Sequence, residues 1–219
     1  MQIERIKTGI IGLDEKLEGG FEKGSAIVVV GGPGSGKSIF GMQFLNQGLI
    51  DGEKCLYLSF EEGKDDIVKD MKILGMDPET YIEKGNFIIL ESSPLDFEYL
   101  TILDTLREKG ISRFVLDSIS TLSVYIDDPL KFRKLLLEMV TQLKRMNITS
   151  ILIDEQVEER ESGLKYFSGE YLADVVIVLY YTGLGGEFDR SMQIVKARRT
   201  NHERSLLPMK IGKGGIYVK

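Results

Sequence analysis

The stretch GGPGSGKS (31–38) follows the apolar run AIVVV (26–30) and precedes an amphipathic helical pattern over residues 38–49. A glycine, four further residues and then GKS match the pattern of a P-loop, a phosphate-binding turn between a strand and a helix. Its glycines let backbone N–H groups turn inward around phosphate oxygens at the positive end of the helix. The order of strand, glycine-rich turn and helix therefore predicts an α/β fold with a nucleotide site.

Two side chains of this turn have separate expected roles. Lys37 would place a positive charge near the β- and γ-phosphates, and Ser38 would offer a hydroxyl to Mg²⁺. The alternative is a glycine-rich turn with a chance lysine, which the flanking strand and helix make the weaker interpretation. The residues expected to contact the nucleotide are Gly32, Pro33, Gly34, Ser35, Gly36, Lys37, Ser38 and Ile39.

The composition is that of one folded, soluble domain covering residues 1–219. The chain is 42% apolar and 28% charged, and its net charge of −6 gives no support to a sequence-blind nucleic-acid binder. A single cysteine, Cys55, excludes an intramolecular disulfide. No apolar run approaches the ~18 residues that a membrane span needs, so we expect a cytoplasmic protein with no membrane contact.

Short apolar runs alternate with helical patterns along most of the chain. This alternation predicts a mostly parallel, three-layer sheet, and the glycine-rich connection GLGGEF (183–188) predicts antiparallel strands at the C-terminal end. The predicted strands are 26–30, 55–60, 87–90, 113–117, 149–154, 174–181 and 192–197. The predicted helices are 38–49, 64–74, 96–109 and 129–146.

Acidic residues follow several of the predicted strands. Asp117 ends RFVLD at the sheet edge where ligands bind, so we expect it to hold Mg²⁺, although a turn or helix cap is the alternative. Glu61 and Glu62 follow the strand after the P-loop helix, 55–60, and one of them could position the attacking water, unless both only cap the following helix. The cluster 154–156, Asp-Glu-Gln, could sense the γ-phosphate or form a solvated loop.

A basic segment lies near the end of this acidic chain. Between residues 190 and 213 there are seven Lys or Arg and one acid, and the segment KARRTNH (196–202) holds the single histidine. Lys196 and Arg198 are two apart, so on a strand they would share one face while Arg199 points away. Two cations on one face suit a triphosphate, and a solvated strand end is the alternative.

The order of these motifs resembles the KaiC-like branch of the RecA-type ATPases. It runs TGIIGLD (8–14), LEGGFEKG (17–24), the P-loop, FEE (60–62), VLDS (115–118) and KARRTNH. The resemblance implies a RecA-like core that uses ATP, giving ADP, together with Mg²⁺, with Glu61 and Glu62 as the catalytic pair. It also implies a ring, usually a hexamer, with ATP between neighbours. Lys196 and Arg198 would then reach the next subunit's phosphates, with Thr200 and His202 supporting the nucleotide.

One departure from the family limits what the resemblance implies. The clock protein is a tandem pair of such domains, and its second domain carries an autophosphorylated Ser-Thr pair where this chain has Glu170-Tyr171. We therefore expect no autokinase activity. The first interpretation is a slow homo-oligomeric ATPase switch with an unknown protein client. The alternatives are a recombination-type partner that binds single-stranded DNA and a nucleotide-binding scaffold that barely hydrolyses ATP.

Overall fold

The computed structural model describes residues 3–126, 128–155, 171–187 and 189–219. Its helices are α1 (Leu13–Lys16), α2 (Lys37–Ile50), α3 (Lys64–Ile73), α4 (Pro78–Glu83), α5 (Tyr99–Lys109), α6 (Ile119–Tyr125) and α7 (Pro129–Arg145), with a 3₁₀ turn over Pro94–Asp96. Its strands are β1 (Arg5–Ile6), β2 (Phe21–Glu22), β3 (Ala26–Gly31), β4 (Cys55–Ser59), β5 (Phe87–Glu91), β6 (Arg113–Asp117), β7 (Thr149–Glu155), β8 (Val175–Tyr181), β9 (Arg190–Ala197), β10 (Leu207–Gly212) and β11 (Gly215–Val218).

Nine of the described strands form one sheet in the order β11-β10-β9-β8-β3-β7-β6-β4-β5. From β8 to β5 all neighbours are parallel, whereas β9, β10 and β11 pair antiparallel. The short strands β1 and β2 form a separate antiparallel ribbon. The mostly parallel sheet with antiparallel C-terminal strands that the sequence predicts is therefore confirmed.

Alternate residues of the central strands pack against opposite helical layers. On β3, Ile27 and Val29 belong to the core that includes α2 and α3, while Val28 and Val30 belong to the core that includes α5 and α7. Each such buried side chain contributes roughly 1.5–3 kcal/mol to folding. Burial on both faces explains why β3 is an unbroken apolar run, as is usual in parallel sheets.

One predicted helix begins later than expected. The apolar spacing predicts a helix over 96–109, but α5 begins at Tyr99 because the chain is still extended at Phe97 and Glu98. The ring of Phe97 packs edge-to-face on Phe60, with centroids 5.2 Å apart, and this contact favours the extended backbone. Within the described ranges, no helix is long and apolar enough to cross a bilayer.

Strand register brings the polar ends of four parallel strands to one edge. Gly31 on β3 pairs with Glu155 on β7, and Ser59 on β4 pairs with Asp117 on β6. These are the carboxyl ends of the strands, the edge at which open α/β sheets bind ligands. The P-loop, the two glutamates after β4 and Asp117 are therefore gathered on one side of the molecule.

A buried arginine joins the sheet to the end of α2 and to the N-terminal segment. The side chain of Arg113, at the start of β6, is 1% exposed and stacks over the ring of Phe44 at 4.8 Å. Its Nη1 donates to the carbonyls of Lys7 at 2.9 Å and of Phe44 at 3.0 Å. Its charge is balanced by Glu53 and by Asp51, the latter at 3.4 Å. Several separate segments therefore depend on one guanidinium.

We predict that Arg113→Ala lowers the free energy of unfolding by about 3 kcal/mol, because it leaves buried carbonyls and two carboxylates without their partner. Urea denaturation measures the effect. Arg107→Ala is the matched control: it removes an exposed pair with Asp104 and should cost less than about 1 kcal/mol. Equal losses in the two variants would contradict the role of Arg113.

Candidate functional site

The P-loop turns tightly between β3 and α2. A side chain at Gly31 would come within 2.4 Å of the Ser35 hydroxyl, and Gly36 has a φ of 104°, which favours glycine. Gly36 precedes α2 without capping it through a side chain. The amides in the first turn of α2 are therefore oriented to bind an anion such as phosphate.

Lys37 folds back over this loop. Its Nζ donates to the carbonyl of Gly32 at 3.1 Å and lies 3.9 Å from a carboxylate oxygen of Glu155, and the side chain is 10% exposed. Both partners are oxygen atoms at the carboxyl edge of the sheet. Phosphate oxygens can take the same place around the ammonium group, so the residue fits the charge-neutralising role that the motif predicts.

Ser38 and Asp117 meet directly beside the loop. The Ser38 hydroxyl donates to Oδ2 of Asp117 at 2.7 Å, and the Tyr57 hydroxyl donates to the same oxygen at 2.5 Å. Burial raises the pKa of Asp117, while these two hydrogen bonds oppose the increase. Burial also raises the pKa of Tyr57, and the charge of Asp117 adds to this effect.

The donor set of this pair fits Mg²⁺. A hydroxyl and one carboxylate meet beside the phosphate-binding turn, and Mg²⁺ is usually held by one or two carboxylates together with substrate phosphates and water. The described residues contain no cluster of three or more His, Cys, Asp or Glu side chains suited to a metal.

The two glutamates after β4 have different surroundings. Glu61 accepts hydrogen bonds from the hydroxyls of Ser118, at 3.1 Å, and Thr121 at the beginning of α6. The backbone amide of Glu62 donates to the Ser59 hydroxyl at 2.8 Å, which fixes the turn and leaves the Glu62 side chain exposed. Neither carboxylate caps α3, because the first amide of that helix, on Lys64, donates to Glu91.

The pKa of Glu62 is raised. Partial desolvation in the cleft is the largest cause, followed by the negative charges of Asp117 and Asp70. The cleft has a volume of about 300 Å³ and is lined by Ser59, Phe60, Glu61, Glu62, Gly63, Glu91, Ser92 and Ser93. A carboxylate with a raised pKa is suited to accept a proton from water.

The third acidic cluster belongs to the end of β7. Asp154 is buried and accepts from the Ser120 hydroxyl at 2.6 Å, and the amide of Glu155 donates to the same hydroxyl at 2.6 Å. These two residues are therefore part of the strand rather than of a solvated loop. Gln156 and Glu170 lie outside the described residues.

The basic segment lies at the opposite edge of the sheet from the P-loop. The amide of Arg198 donates to the carbonyl of Asp174 at 2.9 Å, and the amide of Asp174 donates to the carbonyl of Ala26 at 2.8 Å. Ala26 begins β3, whereas the P-loop follows its last residue, Gly31. The separation along β3 is roughly 17 Å at ~3.3 Å per residue, which is longer than an extended arginine side chain.

The prediction that Lys196 and Arg198 share one face of a strand while Arg199 points away is wrong. Strand β9 ends at Ala197, and Arg199 has a left-handed φ of 55°, so the alternation of a strand does not continue through Arg198 and Arg199. Both guanidinium groups instead approach the carboxylate of Asp174, at 3.9 Å and 3.8 Å. Lys196 remains within β9, opposite Val176.

Thr200 and His202 follow Arg199 in the basic segment, and both make local contacts. The Thr200 hydroxyl accepts from Arg5 at 3.1 Å and donates to the carbonyl of Arg198 at 3.2 Å. His202 Nδ1 lies 3.3 Å from the carbonyl of Thr200. An open groove beside them is lined by Glu15, Lys16, Asn201, His202, Glu203 and Arg204.

The structure adds an arginine beside the P-loop that the sequence analysis does not assign to the site. Arg190, the first residue of β9, donates to the carbonyl of Gly34 and stacks over the ring of Tyr181 at 3.9 Å. Because β9 is antiparallel to β8, its first residue lies at the P-loop edge and its last residues lie at the other. The predicted strand begins at residue 192 and leaves Arg190 out, because the contact of Arg190 with the loop depends on the fold.

Comparison with known proteins agrees with this geometry. Residues 6–219 match the family described as "ATPase: KaiC". The chain belongs to the KaiC ATPase family. A UPF0273 protein of Thermotoga maritima is 31% identical, with 99% of this chain aligned to 96% of that protein. The circadian clock protein KaiC3 of Synechocystis is 30% identical over 99% of this chain, but the alignment covers 46% of that longer protein.

A solved structure extends the comparison to the fold. The crystal structure of a KaiC-like protein from the archaeon Pyrococcus horikoshii superimposes with a TM-score of 0.88 at 32% identity, and the match covers all of both chains. The chain is therefore a KaiC-like member of the RecA-fold ATPases with a P-loop nucleotide site. A recombination-type partner is not favoured, because the family and these relatives are of the KaiC type.

We predict that Glu62→Gln stabilises the protein, in the absence of nucleotide and Mg²⁺, at pH 8. The raised pKa means that the ionised Glu62 side chain is less favourable in the folded than in the unfolded state. The gain should be modest, below about 1 kcal/mol, because the side chain is partly exposed. It should disappear as the pH falls through the raised pKa toward the ordinary value for glutamate.

Urea denaturation at a series of pH values measures this gain. Asp70→Asn is the background control: removing that charge should reduce the gain from Glu62→Gln, because Asp70 contributes to the raised pKa. A gain that grows as the pH falls would contradict the assignment.

Proposed function

We propose that the protein is a slow, Mg²⁺-dependent ATPase that works as a homo-oligomeric ring with ATP between subunits. The observation that supports this most is the separation of the P-loop and the basic segment at opposite edges of one sheet. Phosphate groups held at the P-loop are too far from Arg198 of the same chain for contact. A ring of identical head-to-tail contacts brings unlike edges of neighbouring subunits together, and so supplies both groups to one nucleotide.

The P-loop edge would provide the binding half of the site. Lys37 and the first amides of α2 would hold the β- and γ-phosphates, with Gly32–Ile39 surrounding them, and Ser38 and Asp117 would hold Mg²⁺. The bound Mg²⁺ would neutralise charge that develops on the phosphate oxygens. The contact of Arg190 with the carbonyl of Gly34 supports the shape of this loop.

Glu62 is the better candidate for orienting and deprotonating the attacking water. Its side chain is exposed at the cleft and its pKa is raised, which brings a carboxylate base nearer to neutral pH. Glu61 already accepts two hydroxyl hydrogen bonds from the start of α6. We therefore assign Glu61 to positioning α6 beside Asp117 and Glu62 to the proton transfer.

We predict that Glu62→Gln retains ATP binding and lowers turnover by ~10²–10⁴, the usual cost of losing a positioned general base. Glu61→Gln is the matched control and should lower turnover by less than about tenfold, since an amide can still accept hydrogen bonds from Ser118 and Thr121. Calorimetry reports binding and phosphate release reports turnover. A larger loss for Glu61→Gln would reverse the assignment, and normal turnover of the double variant would exclude both residues.

The basic segment would provide the second half of the site to the neighbouring subunit. Arg198, with Lys196, would approach the γ-phosphate, and Thr200 and His202 would support the rest of the nucleotide. A cation aimed at the charge that develops on a transferred phosphoryl group can accelerate the reaction by ~10³–10⁵. The whole chain, residues 1–219, would act as one domain in this ring, in a cytoplasmic location where ATP is supplied.

We predict that Lys37→Ala and Arg198→Ala subunits are each inactive but regain activity when mixed. Lys37→Ala subunits keep the basic segment, and Arg198→Ala subunits keep the P-loop. After full exchange at a 1:1 ratio, roughly one quarter of the head-to-tail interfaces would pair an intact P-loop with an intact Arg198. Phosphate release by the mixture should approach that fraction of the wild-type rate.

The control is a mixture of Lys37→Ala with the Lys37→Ala/Arg198→Ala double variant, which contains no intact P-loop and should stay inactive. Exchange of subunits is verified by native mass spectrometry of isotopically labelled chains. If fully exchanged mixtures of the two single variants remain inactive, the ring arrangement is wrong. Single-stranded DNA is then the next ligand to test against the basic segment, through salt-dependent binding.

A further inference from the structure

Tyr57 has a buried hydroxyl that the proposed mechanism has not used. The residue lies in the middle of β4, opposite Ile89 of β5 on one side and Val115 of β6 on the other. Its side chain is fully buried in the core that includes α2 and α3. A phenylalanine would fill this place with the same ring, so packing alone does not account for a polar group here. Buried hydroxyl groups need a partner, and the partner indicates what this one does.

The partner is the carboxylate expected to hold Mg²⁺. The Tyr57 hydroxyl donates to Oδ2 of Asp117 at 2.5 Å, and the Ser38 hydroxyl donates to the same oxygen at 2.7 Å. Both distances are those of short, charge-assisted hydrogen bonds between a hydroxyl and a carboxylate. Within the described ranges, no hydrogen bond to Oδ1 of Asp117 is found. One oxygen of the carboxylate is therefore held by two donors, and the other is left for a further ligand.

The two donors belong to different parts of the fold. Ser38 lies in the first turn of α2, within the phosphate-binding turn, and its hydroxyl is itself a proposed ligand of Mg²⁺. Tyr57 lies inside the sheet on β4 and is fully buried, so its hydroxyl reaches neither solvent nor phosphate. Tyr57 can therefore hold Asp117 in the same way with and without a nucleotide.

Rotation of the Asp117 carboxylate is what this hydrogen bond restricts. The terminal bond of an aspartate side chain has a broad, roughly two-fold torsional preference, so the carboxylate is not fixed by its own geometry. With Oδ2 held by Tyr57, Oδ1 keeps one position relative to β6. Hydrogen bonds of this kind orient metal ligands, and losing one typically lowers metal affinity by about 10- to 100-fold.

We propose that Tyr57 is a positioning residue for the metal: its hydroxyl holds Oδ2 of Asp117 and leaves Oδ1, in a fixed position, for Mg²⁺ or a water molecule bound to it. Tyr57 contacts neither the metal nor the nucleotide and acts through Asp117. The proposal rests on the Mg²⁺-dependent function proposed above. It makes a prediction about metal binding that can be measured without turnover.

A fixed carboxylate favours Mg²⁺ over Ca²⁺. Mg²⁺ requires nearly ideal octahedral geometry, whereas Ca²⁺ accepts oxygen ligands in flexible arrangements and binds carboxylates through one oxygen or both. A carboxylate that can rotate is therefore a poorer ligand for Mg²⁺ but remains acceptable to Ca²⁺. The loss of the Tyr57 hydroxyl should weaken Mg²⁺ binding more than Ca²⁺ binding.

The metal-linked gain in affinity for a non-hydrolysable ATP analogue measures this role. Calorimetry gives the dissociation constant of the analogue with EDTA and with Mg²⁺, and the ratio of the two constants is the gain. We expect Tyr57→Phe to lower the gain by about tenfold, the lower end of the usual range, because the phosphates supply further ligands. With Ca²⁺ in place of Mg²⁺, the gain should fall by no more than about threefold. Affinity in EDTA should be unchanged, because the P-loop and Lys37 are intact, and this value also shows that the variant is folded.

Tyr99→Phe is the matched control. The Tyr99 hydroxyl also donates to an acid, Glu138 at 2.9 Å, but this pair joins α5 to α7 in the helical layer on the other face of the sheet. The control should leave the gain with Mg²⁺ unchanged. Equal losses in the two tyrosine variants would overturn the role of Tyr57. Equal losses with Mg²⁺ and Ca²⁺ in Tyr57→Phe would overturn it as well, because general damage to the site does not distinguish the two ions.

Asp117→Asn separates the two ways of failing. It removes the charge of the proposed metal ligand and should lower the gain with Mg²⁺ at least as much as Tyr57→Phe does. If Asp117→Asn leaves the gain unchanged, the Mg²⁺ site of the proposed function is wrong, and the role of Tyr57 is overturned with it. If Asp117→Asn lowers the gain and Tyr57→Phe does not, the Mg²⁺ site stands and only the role of Tyr57 is overturned.

Discussion

The polarity of the parallel sheet is the constraint on which the site depends. Because β3 and its neighbours run in one direction, the loops that follow them share one edge, and the segments that precede them share the other. The P-loop, Asp117 and the two glutamates lie at the first edge, while Asp174 and the basic turn lie at the second. The antiparallel strand β9 connects the two edges, with Arg190 at one end and Lys196 near the other.

Carboxylates outnumber the cations described at the P-loop edge. Burial is the largest cause of the raised pKa of Asp117, and burial followed by the negative charge of Asp117 raises the pKa of Glu62. Lys37 is the nearby cation, and its contact with Glu155 is long. A divalent cation bound between Asp117 and phosphate would reverse the local field and favour both ionised carboxylates. The carboxylates that destabilise the protein without nucleotide would therefore stabilise its complex with Mg²⁺ and nucleotide.

The sequence predicts those features that depend on local pattern. Unbroken apolar runs give the central strands, and the P-loop can be recognised because its glycines, lysine and serine lie within eight residues. Because helices cover both faces of the sheet, successive residues of a strand such as β3 are all apolar, and the run is recognisable in the sequence. The amphipathic spacing likewise predicts α2, α3 and α7 to within about two residues at each end.

Features that depend on distant contacts could not be predicted in this way. The error at Arg198 and Arg199 arose because β9 ends at Ala197 and a left-handed residue follows, which no alternation reveals. The local pattern does not mark Arg113 as buried, but Phe44, Glu53 and Lys7 surround it in the fold. The carboxylate of Asp174 meets Lys144 of α7 and Arg198 of the turn after β9 only in the folded chain.

The central claim is that one nucleotide lies between the P-loop edge of one subunit and the basic edge of the next. A cryo-electron microscopy structure of the assembly with Mg²⁺ and a non-hydrolysable ATP analogue tests it most directly. We predict that the γ-phosphate lies within hydrogen-bonding distance of Lys37 from one chain and of Arg198 from its neighbour. A triphosphate contacted by residues of a single chain, with Arg198 still beside Asp174, would contradict the account.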